Sequence, residues 1–382
     1  MCTEVAHQQN NELDNRHRLI QSKILGLEHF LRSLRNDMNL SVETAIQIVM
    51  VFIGLKYWLE TQSSANAILD NTRGEAELEK LVLQYINSDI GISLDANECI
   101  MDVSVIFVRK FLDKFDDFNF ALMNASDRGL LVDGFVKKCF CGDLERLRVP
   151  MPIQDFLVGC LSPQKGERIF DPCCGVGDLL IRSMRYANSR LTVAGIDASR
   201  IASRTFMLRA TIEYANDDAA GLFLPATITT GPRAMTGSRV MHLYDIAMCY
   251  PTMGRRLPII DNPKGVPNKI SNMSEIQALM HCVMATKAGG RIGIILPDVL
   301  IESEAFGGFR KWMEQQADLV LSYAFDRRLL NFSFPSASVS GLIFVKRDAY
   351  RNSIPEIAMA AEEPVDSAVA SFNAFRADRQ IW

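Results

Sequence analysis

No excess of positive charge marks this 382-residue chain: 41 Lys and Arg stand against 45 Asp and Glu, for a formal net charge of −4. That excludes a protein coated in basic residues, so any contact with nucleic acid needs a local patch or a partner. Metal-ligand spacing is also missing. The nine cysteines are scattered, Cys139 and Cys141 form C-x-C, and Cys173 and Cys174 are adjacent, so no zinc pattern results. An odd count without a framework predicts a reducing compartment. The longest apolar run, "AIQIVMVFIGL" at 45–55, is too short to span a bilayer and ends at Lys56. Nor does the N-terminus carry a signal-peptide pattern, so the expectation is a cytoplasmic protein without a membrane partner. What remains, with 48% apolar and 23% charged residues, is the composition of a soluble globular chain long enough for two cores.

Helical patterning fills the first part. Ile20, Ile24, Leu27, Phe30, Leu31 and Leu34 recur on one face at helical spacing. Ser41 suits the N-cap of a second helix, with Glu43 in its first turn. "EAELEKLVLQYI" and "VSVIFVRKFLDKF" continue the pattern, which predicts a helical domain over 1–145, with Tyr57 and Trp58 in its packing. From 146 to 350 short β-rich runs alternate with helical stretches: "RIFD" (168–171), "LTVAGID" (191–197), "YDIAMCY" (244–250) and "GRIGIILP" (290–297). Such alternation predicts a parallel sheet with helices on both faces, a Rossmann-like α/β domain. "LVLSYAF" (319–325) and "VSGLIFVKR" (339–347) lack an intervening helix and predict an antiparallel hairpin at the sheet edge. Residues 351–382 form an Ala-rich tail with a helix for packing or for a partner.

In an open α/β sheet, ligands sit at the carboxyl ends of strands where the strand order reverses. "RIFDPCCGVGDLLI" has the form of a strand, a tight glycine turn and a helix. Gly175 and Gly177 allow close backbone approach. Asp171 either orders the turn or accepts a hydrogen bond from a charged amino group. Asp197 stands 26 residues after Asp171 at the end of the second strand run. An acid there takes both ribose hydroxyls of an adenosine cofactor, or else caps the helix beginning near Ser199 and Arg200. Leu180 occupies the place of a third glycine. That favours S-adenosylmethionine, which has no pyrophosphate to cradle, over a nicotinamide dinucleotide.

These stretches resemble a known family. "FDPCCGVGDLLI" is similar to the "DPACGSGGFL" motif of the N6-adenine DNA methyltransferases, and most closely to the modification subunits of type I restriction systems. "VFIGLKYWLE" (51–60) resembles the "LGLIFLKYLSD" helix of their N-terminal helical domain. "MPIQDFLVGCLSPQKGERIFDP" resembles their "TPREIVxLMxxLL…GxxVYDP" lead-in, and "GGRIGIILPDVLI" their "GGRAAVVLPNGVLF" strand. The resemblance implies a helical N-terminal domain followed by a Rossmann-like methyltransferase domain, with S-adenosylmethionine held by Asp171, Gly175, Gly177 and Asp197. It also shows departures: Met151 precedes Pro152 where Thr is usual, and "ITTGP" (228–232) offers Gly231 but Pro232 in place of an acid.

The catalytic motif departs further. The family's "FDVVLANPPFG" aligns with "YDIAMCYPTMG", so that Tyr250, Pro251, Thr252 and Met253 stand where Asn-Pro-Pro-Phe is usual. A flipped adenine gives its N6 hydrogens to the Asn oxygen and a backbone carbonyl, which orients the amino nitrogen toward the methyl donor, and the aromatic side chain stacks on the base. Tyr250 cannot copy an amide acceptor, Met253 has no flat face, and Thr252 lacks the ring of the second proline. Losing one oriented acceptor costs on the order of a hundredfold in rate. No second N-P-P-[FY] or D-P-P-[FY] occurs in the chain.

Three readings follow. The first is a non-catalytic methyltransferase-fold protein acting as a DNA-associated scaffold or subunit in defence or DNA maintenance. The second is a working N6-adenine methyltransferase with an atypical loop. The third is a sensor that uses the cofactor pocket as a switch. Arg255 and Arg256 directly after the broken motif, with Arg327, Arg328, Lys264 and Lys269, are candidate phosphate contacts at the cleft rim, unless they are ordinary surface charge. The helical domain is the candidate surface for a protein partner or self-association. In the resembled family, sequence recognition falls to a separate specificity subunit.

Overall fold

The computed structural model describes residues 2–61, 75–88, 91, 96–100, 103–117, 119–120, 122–188, 191–214, 226–230, 242–257, 272–326, 338–348, 358–361 and 363–382. In chain order these form α1 (Cys2–Met38), α2 (Val42–Thr61), α3 (Glu75–Ile86), α4 (Ala96–Ile100), α5 (Val105–Lys114), α6 (Ala125–Cys139), α7 (Met151–Leu161), β1 (Arg168–Asp171), α8 (Asp178–Ala187), β2 (Thr192–Asp197) and α9 (Arg200–Tyr214). They continue as β3 (Ala226–Thr230), β4 (Tyr244–Cys249), α10 (Ser274–Ala285), β5 (Thr286–Pro297), α11 (Asp298–Glu302), α12 (Gly307–Gln316), β6 (Ala317–Ala324), β7 (Val339–Lys346), β8 (Ala358–Ala361) and α13 (Val365–Asp378).

Two compact units emerge. One is Met1–Glu145 with Arg204–Leu224, the other Arg146–Ser203 with Pro225–Trp382. The boundary near 145 is where the sequence changes character. The grouping of most of α9 with the helices, and of 358–382 with the sheet, differs from the three-part division at 1–145, 146–350 and 351–382.

In the helical unit the six apolar positions of α1 are all buried. Ser41 Oγ accepts the Thr44 N–H at 3.1 Å, capping α2. Phe30, Phe52, Phe111 and Phe115 form a chain of ring contacts at 4.9–6.2 Å between centroids. Helix α2 does not stop at Lys56: that ammonium pairs with Glu60 at 2.7 Å, both side chains fully enclosed. With 20 residues, α2 is by length and composition capable of crossing a membrane, yet most of it is buried within the protein, as a core helix is. Tyr57 is enclosed and Trp58 packs on Tyr85 at 5.8 Å. Arg209 of α9 pairs with Asp133 of α6 at 2.8 Å, and Arg128 donates to the Glu213 carbonyl. These bonds explain why that stretch of α9 groups with the helices.

The second unit is built on an eight-stranded sheet of order β3-β2-β1-β4-β5-β7-β6-β8. Neighbours from β3 to β5 are parallel. Strand β7 runs antiparallel to both β5 and β6. The expected antiparallel pairing of β6 with β7 is present, but not at the edge. Strand β7 inserts between β5 and β6, and β8, from the segment read as a tail, pairs parallel with β6 as the outer strand. Alternation along the strands covers both faces. Ile292, Ile294 and Leu296 of β5 join the cluster made with α10 and α12, while Gly293 faces Leu157 and Leu161 of α7. Helix α13 docks on α7, where a Cβ at Gly159 would stand 2.7 Å from Val369. The α/β class and its Rossmann-like layering are as expected. Strand β3, built from "ATITT", was not assigned from sequence.

Candidate functional site

The chain leaves β1, builds β2 and β3 on one side, then returns to lay β4 on the other side of β1. That reversal makes the carboxyl ends of β1 and β4 the switch point where open α/β sheets bind ligands. Both unusual stretches lie there. Asp171 closes β1, and Cys249 closes β4 directly before Tyr250.

The turn after β1 is held from three directions. Asp171 Oδ1 accepts the Cys173 N–H at 2.9 Å. Asp197 Oδ2 accepts the Gly175 N–H at 2.9 Å, and its Oδ1 accepts the Ser199 N–H at 2.8 Å. Asp178, enclosed in the first turn of α8, takes a two-pronged contact from Arg148 at 2.9 and 3.3 Å and the Val149 N–H at 2.9 Å. This last clamp ties the lead-in before α7 to the glycine turn, and sequence reasoning missed it.

Gly175 and Gly177 both have positive φ, +53° and +81°. Their backbones need glycine, but at Gly175 the close approach is internal. A Cβ there would stand 2.3 Å from the Leu147 carbonyl oxygen, which also accepts the Val176 N–H at 3.1 Å. The protein's own backbone therefore demands glycine at 175, whether or not a ligand also approaches there.

The two acids differ. Asp171 is 1% exposed, and burial pushes its carboxyl up to about 8, against the lowering effect of the Cys173 N–H. Of the two roles open to it, ordering the turn is the one its hydrogen bond performs. Asp197 is only partly buried; burial raises its carboxyl too, opposed by the Ser199, Gly175 and Ala198 N–H groups. Three backbone N–H groups leave the carboxylate about one of its four lone-pair directions for a further donor. Among the described residues around the strand ends, Cys173, Asp197 and Tyr250 have partly exposed side chains. Cys173 was not singled out from sequence, and only its burial distinguishes it from Cys174.

After β4, Tyr250 is partly buried, and desolvation raises its phenol above the ordinary value. Pro251 is buried, Thr252 exposed, and Met253 only 8% exposed, so the fourth motif position packs inward. The loop is fastened to the start of α10. Ser274 Oγ donates to the Thr252 carbonyl at 2.5 Å, and Glu275 Oε1 accepts the Gly254 N–H at 2.5 Å. The Ser274 N–H reaches the Arg255 carbonyl at 3.0 Å, and the Leu257 N–H that of Asn272 at 2.7 Å. Arg255 and Arg256 are exposed, and the Arg256 guanidinium donates to Asn272 Oδ1 at 2.5 Å. Met151 is 59% exposed at the start of α7, with Pro152 in its first turn. Gly231, Pro232, Lys264, Lys269, Arg327 and Arg328 lie outside the described residues. Among the described residues no group of three or more His, Cys, Asp or Glu could hold a metal ion.

Comparison with known proteins agrees with this geometry. Residues 148–321 match the family model described as N-6 DNA methylase. The methyltransferase subunit of a type I restriction-modification system from Streptococcus thermophilus superposes with a TM-score of 0.62 at 11% identity, over 93% of each chain. A structure reporting complex assembly and conformational transition of the type I restriction-modification system gives a TM-score of 0.61 at 13% identity, over 94% of this chain and 84% of the other. Residues 148–321 therefore match the N-6 DNA methylase model, and the chain shares its fold with methyltransferase subunits of type I restriction-modification systems.

Proposed function

We propose that this protein is a non-catalytic methyltransferase-fold subunit that associates with DNA within a complex and binds S-adenosylmethionine without using it. The observation that carries this reading is the loop after β4. Tyr250 stands in place of an amide acceptor, and Met253 is packed inward where a base would need a flat, open face. Without an oriented acceptor, a flipped adenine is not held with its amino nitrogen in line. Pinning by Ser274 and Glu275 makes this loop shape a built feature, since their two side chains, the Ser274 N–H and the Asn272 carbonyl fix it.

Residues at the switch point fit the adenosine end of S-adenosylmethionine. Asp197 is partly exposed and retains acceptor capacity beyond its backbone N–H partners, as a ribose hydroxyl requires. When bound, the cofactor supplies an electrophilic methyl group. The chain's own contribution is then to bind: Asp197 accepts, and Asp171 and Asp178 hold the turn in shape. The N-6 DNA methylase match supports DNA as the setting, and the neighbours described as type I restriction-modification subunits and assemblies support a protein partner; the reading places the protein in the cytoplasm. Arg255 and Arg256 are the phosphate contacts in this reading, and the helical unit the protein contact. Incubating the purified chain with methyl-labelled S-adenosylmethionine and DNA should give no transfer. Adenine methylation by the chain would establish a working enzyme with an atypical loop.

A further inference from the structure

We propose that Cys173 and Cys249 form a reversible disulfide that covalently ties the turn after β1 to the strand end that precedes Tyr250. Cys173 and Cys249 sit on neighbouring strand ends. Strands β1 and β4 are parallel with Ile169 opposite Ile246 and Phe170 opposite Ala247, and continuing that register brings the turn after Asp171 beside Cys249. Cys249 is fully buried, and Cys173 packs against the same apolar cluster. Burial raises the Cys249 thiol, and the neighbouring Cys173 thiol and Asp171 carboxyl raise it further.

Exposure divides the labour. Cys173 is partly exposed, whereas Cys174, Cys249 and Cys282 are buried. The buried Cys249 thiol is held protonated by desolvation, so the first oxidation falls to the accessible sulfur. Cys174, although adjacent in sequence, points elsewhere: its Sγ fills the space beside Gly195 of β2, where a Cβ would stand 2.6 Å away. It is thereby turned from β4 and from a bond with Cys249.

The oxidant is a peroxide. The Cys173 sulfur attacks one peroxide oxygen, the O–O bond breaks, and the leaving hydroxide takes up the thiol proton as water, leaving a sulfenic acid. The Cys249 sulfur then attacks the Cys173 sulfur, the S–O bond breaks, and the departing hydroxide carries off the Cys249 proton as a second water. Two thiols lose two electrons, and one peroxide becomes two waters. A thiol reductant reverses the bond. This inference rests on the strand-end geometry and not on cofactor binding.

The test uses the full-length protein, reduced, exposed to hydrogen peroxide, blocked with N-ethylmaleimide and mapped by mass spectrometry after digestion. A Cys173–Cys249 linked peptide pair, two hydrogens lighter than the separate peptides and released by dithiothreitol, is the expected result. In Cys249→Ala, Cys173 should oxidise onward to sulfinic acid, because no resolving thiol remains. Cys173 sulfinic acid beside an intact Cys249 thiol in the natural protein would overturn the proposal. So would a Cys173 bond to Cys174 or Cys282, or a Cys173 thiol that peroxide leaves untouched. The map of the natural protein decides even if the variant fails to fold.

Discussion

Replacing Gly175 by alanine tests how the glycine turn is built. At φ +53° any Cβ is disfavoured, which costs about 1–2 kcal/mol. At this position the added carbon would also stand 2.3 Å from the Leu147 carbonyl oxygen, a backbone atom that cannot swing aside as a side chain would. Forcing that contact apart adds about 1–3 kcal/mol, and it strains the Gly175 N–H bond to Asp197 and the Val176 N–H bond to Leu147. The total is about 2–5 kcal/mol. Gly166 is the matched control, since it has φ +83° and nothing within 4 Å of its would-be Cβ. Gly166→Ala should therefore cost only the conformational part. At roughly 2–4 °C per kcal/mol for a domain of this class, Gly175→Ala should melt several degrees below Gly166→Ala, read by the transition of the α/β unit in calorimetry. Equal melting temperatures for the two variants would refute the wedge by Leu147.

Three further outcomes follow from the same site. Asp171, at about 8, keeps its proton in the folded protein across a range where the unfolded chain has lost it, so stability falls as pH rises from about 4 to about 8. Asp171→Asn should remove that decline, worth at most ~1.4 kcal/mol per pH unit, and melting curves of variant and natural protein that keep parallel pH profiles would contradict it. S-adenosylmethionine should raise the melting temperature as its concentration passes Kd, and Asp197→Ala should abolish most of the shift; a full shift in that variant would place the ligand elsewhere. Arg255→Ala with Arg256→Ala should weaken DNA association of the assembled complex and flatten its salt dependence, because fewer counterions are released, and unchanged affinity and slope would remove this rim as a DNA surface.

Much of the fold was legible because its signals are local. The α1 stripe, the Ser41 cap and the runs that became β1, β2, β4 and β5 each declare themselves within a few residues. What stayed hidden depends on distant partners. The allegiance of α9 rests on Arg209 meeting Asp133, 76 positions away, and no periodicity encodes that pairing. The place of β8 depends on β7 crossing between β5 and β6, which shifts the sheet edge to the last strand. Strand β3 was overlooked because "ITTGP" was weighed as a motif position and not as a run of β-branched residues. At the site, the demand for glycine at 175 was legible, but the atom that imposes it was not, since Leu147 precedes it by a whole helix and strand. Likewise the acids at 171 and 197 look alike as letters, and only burial separates an enclosed turn-former from a partly exposed acceptor.

The most direct test of the central claim is methyl transfer in the assembled complex. The chain is co-purified with its native partner, given labelled S-adenosylmethionine at saturation and DNA that the complex binds, and the DNA is digested to nucleosides for detection of N6-methyladenine. The loop after β4 predicts none above the level of a Pro251→Ala complex. N6-methyladenine that accumulates with the natural chain and disappears with Pro251→Ala would show that Tyr250-Pro251-Thr252-Met253 is a working catalytic motif.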